Sequence, residues 1–243
     1  MKVTNIKDVF FDLDHTLWDF DKNSEMTFEG IFQRNHPSVE IKIFIEKYVP
    51  INQACWKLYQ YDKISHEELR YNRLKHSFDA INYSVSDEQI ESIAQEYIQL
   101  LPDNNHLFDG TFEILDYLNK NYKLHIITNG FADVQHRKIK NSKLHDYFHT
   151  ITNSDMAGVK KPNPIIFEYA LDLAKAKKEN SIMIGDSLDA DVQGALDMGL
   201  DAIFFNEKKT QIGNHIKQVN HLLEIYFITS VRCCRKWLLA VCK

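Results

Sequence analysis

Val9-Phe10-Phe11-Asp12-Leu13-Asp14-His15-Thr16-Leu17-Trp18-Asp19 decides how the rest of the chain is read. A run of β-branched and aromatic residues, Val9 to Phe11, stops at two carboxylates two positions apart. Residues two apart in an extended strand project to the same side, so Asp12 and Asp14 are placed to face one ligand. Like charges that close need a cation, a shared proton or a phosphate-binding shell to offset them. Acidic residues are also common where a strand turns. The spacing alone leaves both readings open.

The strand reading extends from Ile6 to Asp12, apolar enough for the centre of a sheet buried on both faces. From about Asn23 to Ala80 the pattern changes to helical periods rich in aromatics, among them Phe28, Phe32, Phe44, Tyr48, Trp56 and Tyr59. Ser65-His66-Glu67-Glu68 and Ser86-Asp87-Glu88-Gln89 each fit a capping box that starts a helix. The turn-rich Leu101-Pro102-Asp103-Asn104-Asn105-His106 closes the block. A helical insertion over about 16–105 follows the first strand.

Beyond it the rhythm is helix then strand. Helices are expected at Thr111 to Asn121, Asp133 to Asn141, Asn163 to Lys175 and Asp189 to Met198. Strands are expected at Leu124 to Thr128, His149 to Thr152, Ser181 to Gly185 and Ala202 to Phe205. Such alternation predicts an α/β fold with a mainly parallel sheet and helices on both faces, whose ligand site lies beyond the carboxyl ends of the strands. A last helix is read at Ile212 to Phe227. The tail 228–243 turns abruptly basic and holds three of the four cysteines, with no role assigned.

Composition narrows the function classes. At 243 residues the chain has room for one large domain or a domain carrying an insertion. With 34 Asp plus Glu against 29 Lys plus Arg there is no global positive field, so nucleic acid is not an expected partner and an anionic ligand must be held locally. No run approaches the roughly 20 apolar residues of a membrane span, and Met1 to Asn5 has no signal-peptide core, so no membrane partner and a cytoplasmic location are expected. The cysteines have neither disulfide-framework nor zinc-ligand spacing.

The strand ends carry the chemistry: Asp12 and Asp14, then Thr128-Asn129-Gly130, then Gly185-Asp186-Ser187 with Asp191 beyond. Lys161 sits in the loop Gly158-Val159-Lys160-Lys161-Pro162-Asn163, held extended by the following proline, before a helix that Asn163 is suited to cap. For a phosphate monoester, ionised Asp12 is a competent nucleophile. Asp14 would protonate the leaving oxygen and then deprotonate water. Asp12 and Asp186 suit Mg²⁺. The Thr128 hydroxyl and main-chain N–H groups near Asn129 would hold phosphoryl oxygens, with Lys161 balancing their charge. Asp191 is spaced to orient Lys161 or a metal-bound water.

Each signal also has a plain structural reading. Thr128 can end a strand, Asn129 can make a turn, Lys161 can be a solvated charge, and Asp186 and Asp189 can complement a helix dipole. Trp18, Phe20, Trp56 or Tyr59 can stack on a base or pack the helical block. The order of the motifs, each at an expected strand end, favours the chemical reading.

In that order, Asp12-Leu13-Asp14-His15-Thr16, Thr128, Lys161-Pro162 and Gly185-Asp186-Ser187 with Asp191 resemble the four motifs of the haloacid dehalogenase superfamily of phosphohydrolases. The resemblance spans about residues 6–206. It implies a Rossmann-like three-layer α/β/α core, 1–15 and 106–227, with a mobile helical cap, 16–105, inserted after the first strand. It implies Mg²⁺ held by Asp12, Asp186 and the main-chain carbonyl of Asp14, phosphate held by Thr128, Asn129 and Lys161, and support from Thr16 and Asp191. The second aspartate, Asp14, marks the phosphatases rather than the dehalogenases. Ile127 to Phe131, Gly158 to Asn163, Ile166 to Leu171 and Trp56 to Tyr59 with Ile64 and Arg73 are similar to a bacterial group of house-cleaning pyrimidine 5′-nucleotidases. That narrower resemblance implies UMP, dUMP, dTMP and modified pyrimidine monophosphates as substrates.

The adjacent pair Lys160-Lys161 departs from the pattern, and Lys161, next to the proline, is the expected phosphate ligand, with Lys160 as the fallback. Competing readings are a phosphatase of small sugar phosphates or phosphoglycolate, a phosphomutase, and a non-catalytic binding or regulatory protein on the same fold.

Overall fold

The computed structural model of the chain describes residues 5–213 and 215–226. The first strand, β1 (Asp8–Phe11), leads into four helices, α1 (Phe20–Asn35), α2 (Ile41–Gln60), α3 (His66–Ala80) and α4 (Asp87–Leu100). Then come α5 (Thr111–Leu118), β2 (Lys123–Thr128), α6 (Ala132–Asn141), β3 (Phe148–Asn153), the short α7 (Ser154–Ala157) and α8 (Pro164–Ala174). The chain continues through β4 (Ser181–Gly185), a π-helical turn (Leu188–Gln193), α9 (Gly194–Asp197), β5 (Asp201–Phe205) and β6 (Gln218–Val219). No helix among the described residues is long and apolar enough to cross a membrane.

The sheet is parallel throughout, in the order β3-β2-β1-β4-β5-β6. Phe11 stands opposite Ile126 on one side and Ile184 on the other. The strands therefore alternate between two cores. Val9, Phe11, Ile126 and Ile184 pack with Ile114, Leu115 and Leu118 of α5, whereas Phe10, Ile127 and Met183 pack with Ile166, Phe167 and Ala170 of α8. Burial on both faces explains the continuous apolar runs that marked these strands. Because β1 lies between β2 and β4, the carboxyl ends of these three strands are side by side where the strand order reverses, the usual place for a ligand.

The four helices form an aromatic-rich bundle. Phe28 stacks on Tyr97 with ring centroids 4.4 Å apart and meets Tyr48 edge-on at 4.7 Å. Both expected capping boxes are present: Ser65 and Ser86 each accept from the main chain three residues on, and Glu68 and Gln89 reach back. The two connections to the bundle run together, with Asp19 N donating to His106 O at 3.1 Å and Phe108 N to Leu17 O at 3.0 Å.

Two expectations need correction. The helix expected from Asp189 to Met198 opens as a π-helical turn, because Ser187 caps Ala190 N while the Asp191 side chain turns back to accept from Ser187 N. The helix read at Ile212 to Phe227 is instead the edge strand β6 and a 3-10 turn at Leu222–Glu224. Pairing of Val219 with Phe205, together with Asn206 donating to Thr210 O and Gln218 Oε1, fixes that segment from outside itself. Tertiary contacts override its local period. Phe227 and the tail 228–243 lie outside the described residues.

Candidate active site

The residues singled out at the strand ends meet around one cavity, lined among others by Asp12, Asp14, Thr128, Asn129, Lys161 and Asp186. After β1 the chain turns sharply: Leu13 O accepts from Leu17 N and Trp18 N, and His15 takes the left-handed conformation at φ 61°. This turn places Asp12 and Asp14 on the cavity.

Lys161 is 2% exposed and its ammonium has three acceptors: Asp12 Oδ1 at 2.7 Å, Asp191 Oδ1 at 2.6 Å and Ile127 O at 2.7 Å. Three acceptors match its three donors. Burial works to lower its pKa, but the Asp12 and Asp191 carboxylates outweigh burial and hold it above the ordinary lysine range. Lys160 goes elsewhere, donating to Asp62 Oδ1 at 2.5 Å with its Nζ 4.3 Å from the centre of the Tyr59 ring. The side chain of Asn129 accepts from Lys161 N at 2.7 Å and donates to Lys161 O at 3.0 Å. Its amide therefore fastens the Lys161 loop to the end of β2.

The Thr128 hydroxyl accepts from Gly130 N at 3.1 Å and from Gln135 Nε2 at 2.7 Å. With its acceptor sites used, its own O–H is left to donate. Thr16 Oγ1 donates to Asp186 Oδ1 at 3.3 Å. Glycine is required where Gly185 passes Asp191, since a Cβ there would stand 2.2 Å from Asp191 Oδ2.

The carboxylates are under-compensated. Burial, opposed by the Lys161 ammonium and reinforced by Asp191, pushes the Asp12 carboxyl up to about 7. Burial, reinforced by Asp12 and Asp191, also pushes Asp186 well above the ordinary range. Oxygens of Asp12, Asp186 and Asp191 lie within 4.8 Å of one another. Hard oxygen donors whose charge the protein leaves unbalanced fit a cation such as Mg²⁺. Asp191 already serves Lys161 and Ser187 N, which leaves Asp12 and Asp186 as the freer pair.

Two residues that hold Asp14 were not foreseen. Lys138 Nζ lies 2.7 Å from Asp14 Oδ1, and Gln135 Nε2 lies 2.8 Å from Asp14 Oδ2. Both come from α6 and both are buried, beside Ile139. The signal in the sequence was two polar side chains on the same helix face as Ile139, the face turned to the core. The bundle supplies the opposite wall of the cavity through Asn52, Gln53, Trp56 and Gln60, all on α2. Trp56 is braced there by Tyr59 and Phe131, at 5.7 and 5.5 Å between ring centroids. Tyr61 and Gln60 also donate to Asp189, tying the end of α2 to the loop after β4.

Comparison with known proteins agrees with this geometry. A family model described as haloacid dehalogenase-like hydrolase matches residues 6–199. The pyrimidine 5′-nucleotidase PynA of Streptococcus pneumoniae is 32% identical over 222 residues, covering 90% of this chain and 91% of its own. A glyceraldehyde 3-phosphate phosphatase of Methanothermobacter thermautotrophicus is 28% identical over 214 residues, covering 85% and 88%. Among solved structures, the HAD-hydrolase YfnB from Bacillus subtilis bound to magnesium is similar at a TM-score of 0.83 and 26% identity, covering 93% of this chain and 99% of its own.

Proposed function

The chain belongs to the haloacid dehalogenase-like hydrolase family, and from that premise we propose that it is a Mg²⁺-dependent phosphomonoesterase of pyrimidine nucleoside 5′-monophosphates, with UMP, dUMP and dTMP as substrates. The observation that carries the phosphatase reading is the pairing of two carboxylates in different settings: Asp12 against the Lys161 ammonium, and Asp14 against Lys138 and Gln135. A binding protein has no need of both.

Each residue then has a distinct task. An Asp12 oxygen attacks phosphorus as the bond to the ester oxygen breaks, giving an aspartyl-phosphate. Asp14 gives its proton to the departing oxygen. It then takes one from the water that attacks phosphorus and releases inorganic phosphate, restoring Asp12. Thr128 O–H donates to a phosphoryl oxygen, and Lys161 exchanges its Asp12 contact for another. Asp12, Asp186 and the Asp14 carbonyl would hold Mg²⁺. When bound, the ion offsets the repulsion between carboxylate and phosphate.

In this reading residues 1–15 and 106–227 are the catalytic core and 16–105 the cap. The nucleotide assignment is supported by the likeness to PynA and by the α2 wall, where amides flank an aromatic ring. The test is a Mg²⁺-dependent hydrolysis screen of UMP, dTMP, phosphoglycolate and sugar phosphates. Higher kcat/KM on UMP and dTMP is expected; equal rates on phosphoglycolate refute the nucleotide assignment. Asp12→Asn is expected to lose at least ~10³-fold in kcat while keeping its fold by circular dichroism.

A further inference from the structure

We propose that Asn52 reads the edge of the substrate's base by presenting amide N–H donors to the cavity, and that Arg73, behind it, is the positioning residue that fixes the amide that way round. The inference rests on the nucleotidase reading and assigns its selectivity to two side chains.

Arg73, on α3, is 3% exposed, yet its guanidinium has little to hold it. It lies 4.9 Å over the Tyr97 ring and donates to Asn52 Oδ1 at 3.4 Å, while its Nε has no hydrogen-bond partner. No ion pair to a carboxylate is found for it among the described residues. Burying a charge without an opposite charge is among the costliest things a fold can do. An apolar side chain in its place would serve the packing of the bundle better. The cost marks Arg73 as retained for something other than stability.

Its single hydrogen bond shows what that is. A guanidinium only donates, so an amide beside it must turn its oxygen towards it and its NH₂ away. Asn52 is buried on the same α2 face as Tyr48 and Cys55 but also lines the cavity, next to Gln53 and one turn before Trp56. Its Nδ2 has no hydrogen-bond partner among the described residues. The amide N–H donors are therefore turned away from Arg73, in a cavity that Trp56, braced by Tyr59 and Phe131, also lines.

The matching ligand group is planar and carries a carbonyl oxygen at its edge. All three pyrimidines share the carbonyl at position 2, so the proposal places Asn52 at position 4, where uracil and thymine have a carbonyl and cytosine an amino group that only donates. Donor facing donor leaves a buried N–H unsatisfied, which costs about 10- to 100-fold in binding.

The test is steady-state hydrolysis of UMP and CMP by the purified chain with Mg²⁺, for wild type, Asn52→Asp, Arg73→Met and Arg73→Lys, each with a melting temperature. The wild type is expected to favour UMP. Asn52→Asp, whose carboxylate pairs with Arg73 and offers only acceptors, should lower the UMP-to-CMP ratio of kcat/KM by about 10- to 100-fold, through KM. Arg73→Met should lower the same ratio without lowering the melting temperature, because it removes an unpaired buried charge. Arg73→Lys, which also only donates, should restore most of the ratio. A UMP preference that survives both Asn52→Asp and Arg73→Met overturns the proposal, and so does equal loss on both nucleotides. A wild-type enzyme no better on UMP than on phosphoglycolate overturns it together with the nucleotidase reading, and is distinguished by needing no variant.

Discussion

Lys138 Nζ sits 2.7 Å from Asp14 Oδ1 in a pocket where the lysine is 2% exposed, and the same ammonium lies 4.4 Å from the centre of the Trp18 ring. Burial lowers the Lys138 pKa, an effect that Asp14 opposes. With Gln135 on the other oxygen, the carboxyl group assigned to proton transfer is held at both ends by one helix, and Gln135 joins it to Thr128. Proton transfer needs that group at hydrogen-bond distance from the ester oxygen, so its anchors bear on the rate.

Lys138→Met should therefore lower kcat on UMP by about 10- to 100-fold, within the range general acid–base catalysis supplies. The loss should be much smaller on the phosphorylation step with para-nitrophenyl phosphate, whose leaving oxygen needs no proton. Burst kinetics with both substrates check this. An equal loss in that step on the two would show that Lys138 acts on the fold as a whole.

The two adjacent lysines should separate cleanly. Lys161→Met leaves Asp12 and Asp191 facing each other without their shared cation and should reduce kcat by ~10³-fold or more. Lys160→Met removes a contact to exposed Asp62 and should change kcat by less than about threefold. Steady-state assays of both variants decide it.

Stability should depend on pH and on Mg²⁺ together. Burial pushes the folded Asp12 carboxyl from 3.8 up to about 7, so between these values the folded state binds more protons than the unfolded one. Stability contributed by this group therefore falls as pH rises from about 4 to about 7. At the proposed site Mg²⁺ would bind the ionised form and should offset the fall. In differential scanning calorimetry the gain in melting temperature on adding Mg²⁺ is expected to be larger at pH 8 than at pH 5, and a gain independent of pH would contradict the assignment.

Gly185→Ala would drive a methyl group to within 2.2 Å of Asp191 Oδ2 at the buried end of β4. Asp191 cannot retreat without releasing Lys161 and Ser187 N. A destabilisation of about 1–3 kcal/mol is expected, as for other overpacked sites, with a fall in kcat. Urea unfolding alongside steady-state kinetics measures both.

What could be read in advance follows the range of the forces involved. Ser181 to Gly185 was expected as a strand and is one, because two-sided burial leaves an uninterrupted apolar run. The capping boxes at Ser65 and Ser86 were legible because both halves of each lie within four residues. The segment from Ile212 departs from its helical period because β6 is defined by its neighbour β5. That the Asn129 side chain clasps the main chain of Lys161, 32 residues away, could not be read from its position after β2.

By itself, the sequence determined the chemical types at the strand ends and the order in which they occur, since a carboxylate or hydroxyl following an apolar run is a local property. It determined too that a helical block interrupts the chain after the first strand. Only the tertiary structure decided which groups meet. Lys138 reaches Asp14 across 124 residues and Lys161 reaches Asp12 across 149. Arg73 and Asn52 meet because α3 packs on α2, which no single helical period records. Such contacts depend on how elements stack, and stacking is set by burial over the whole molecule rather than by the spacing of residues along it.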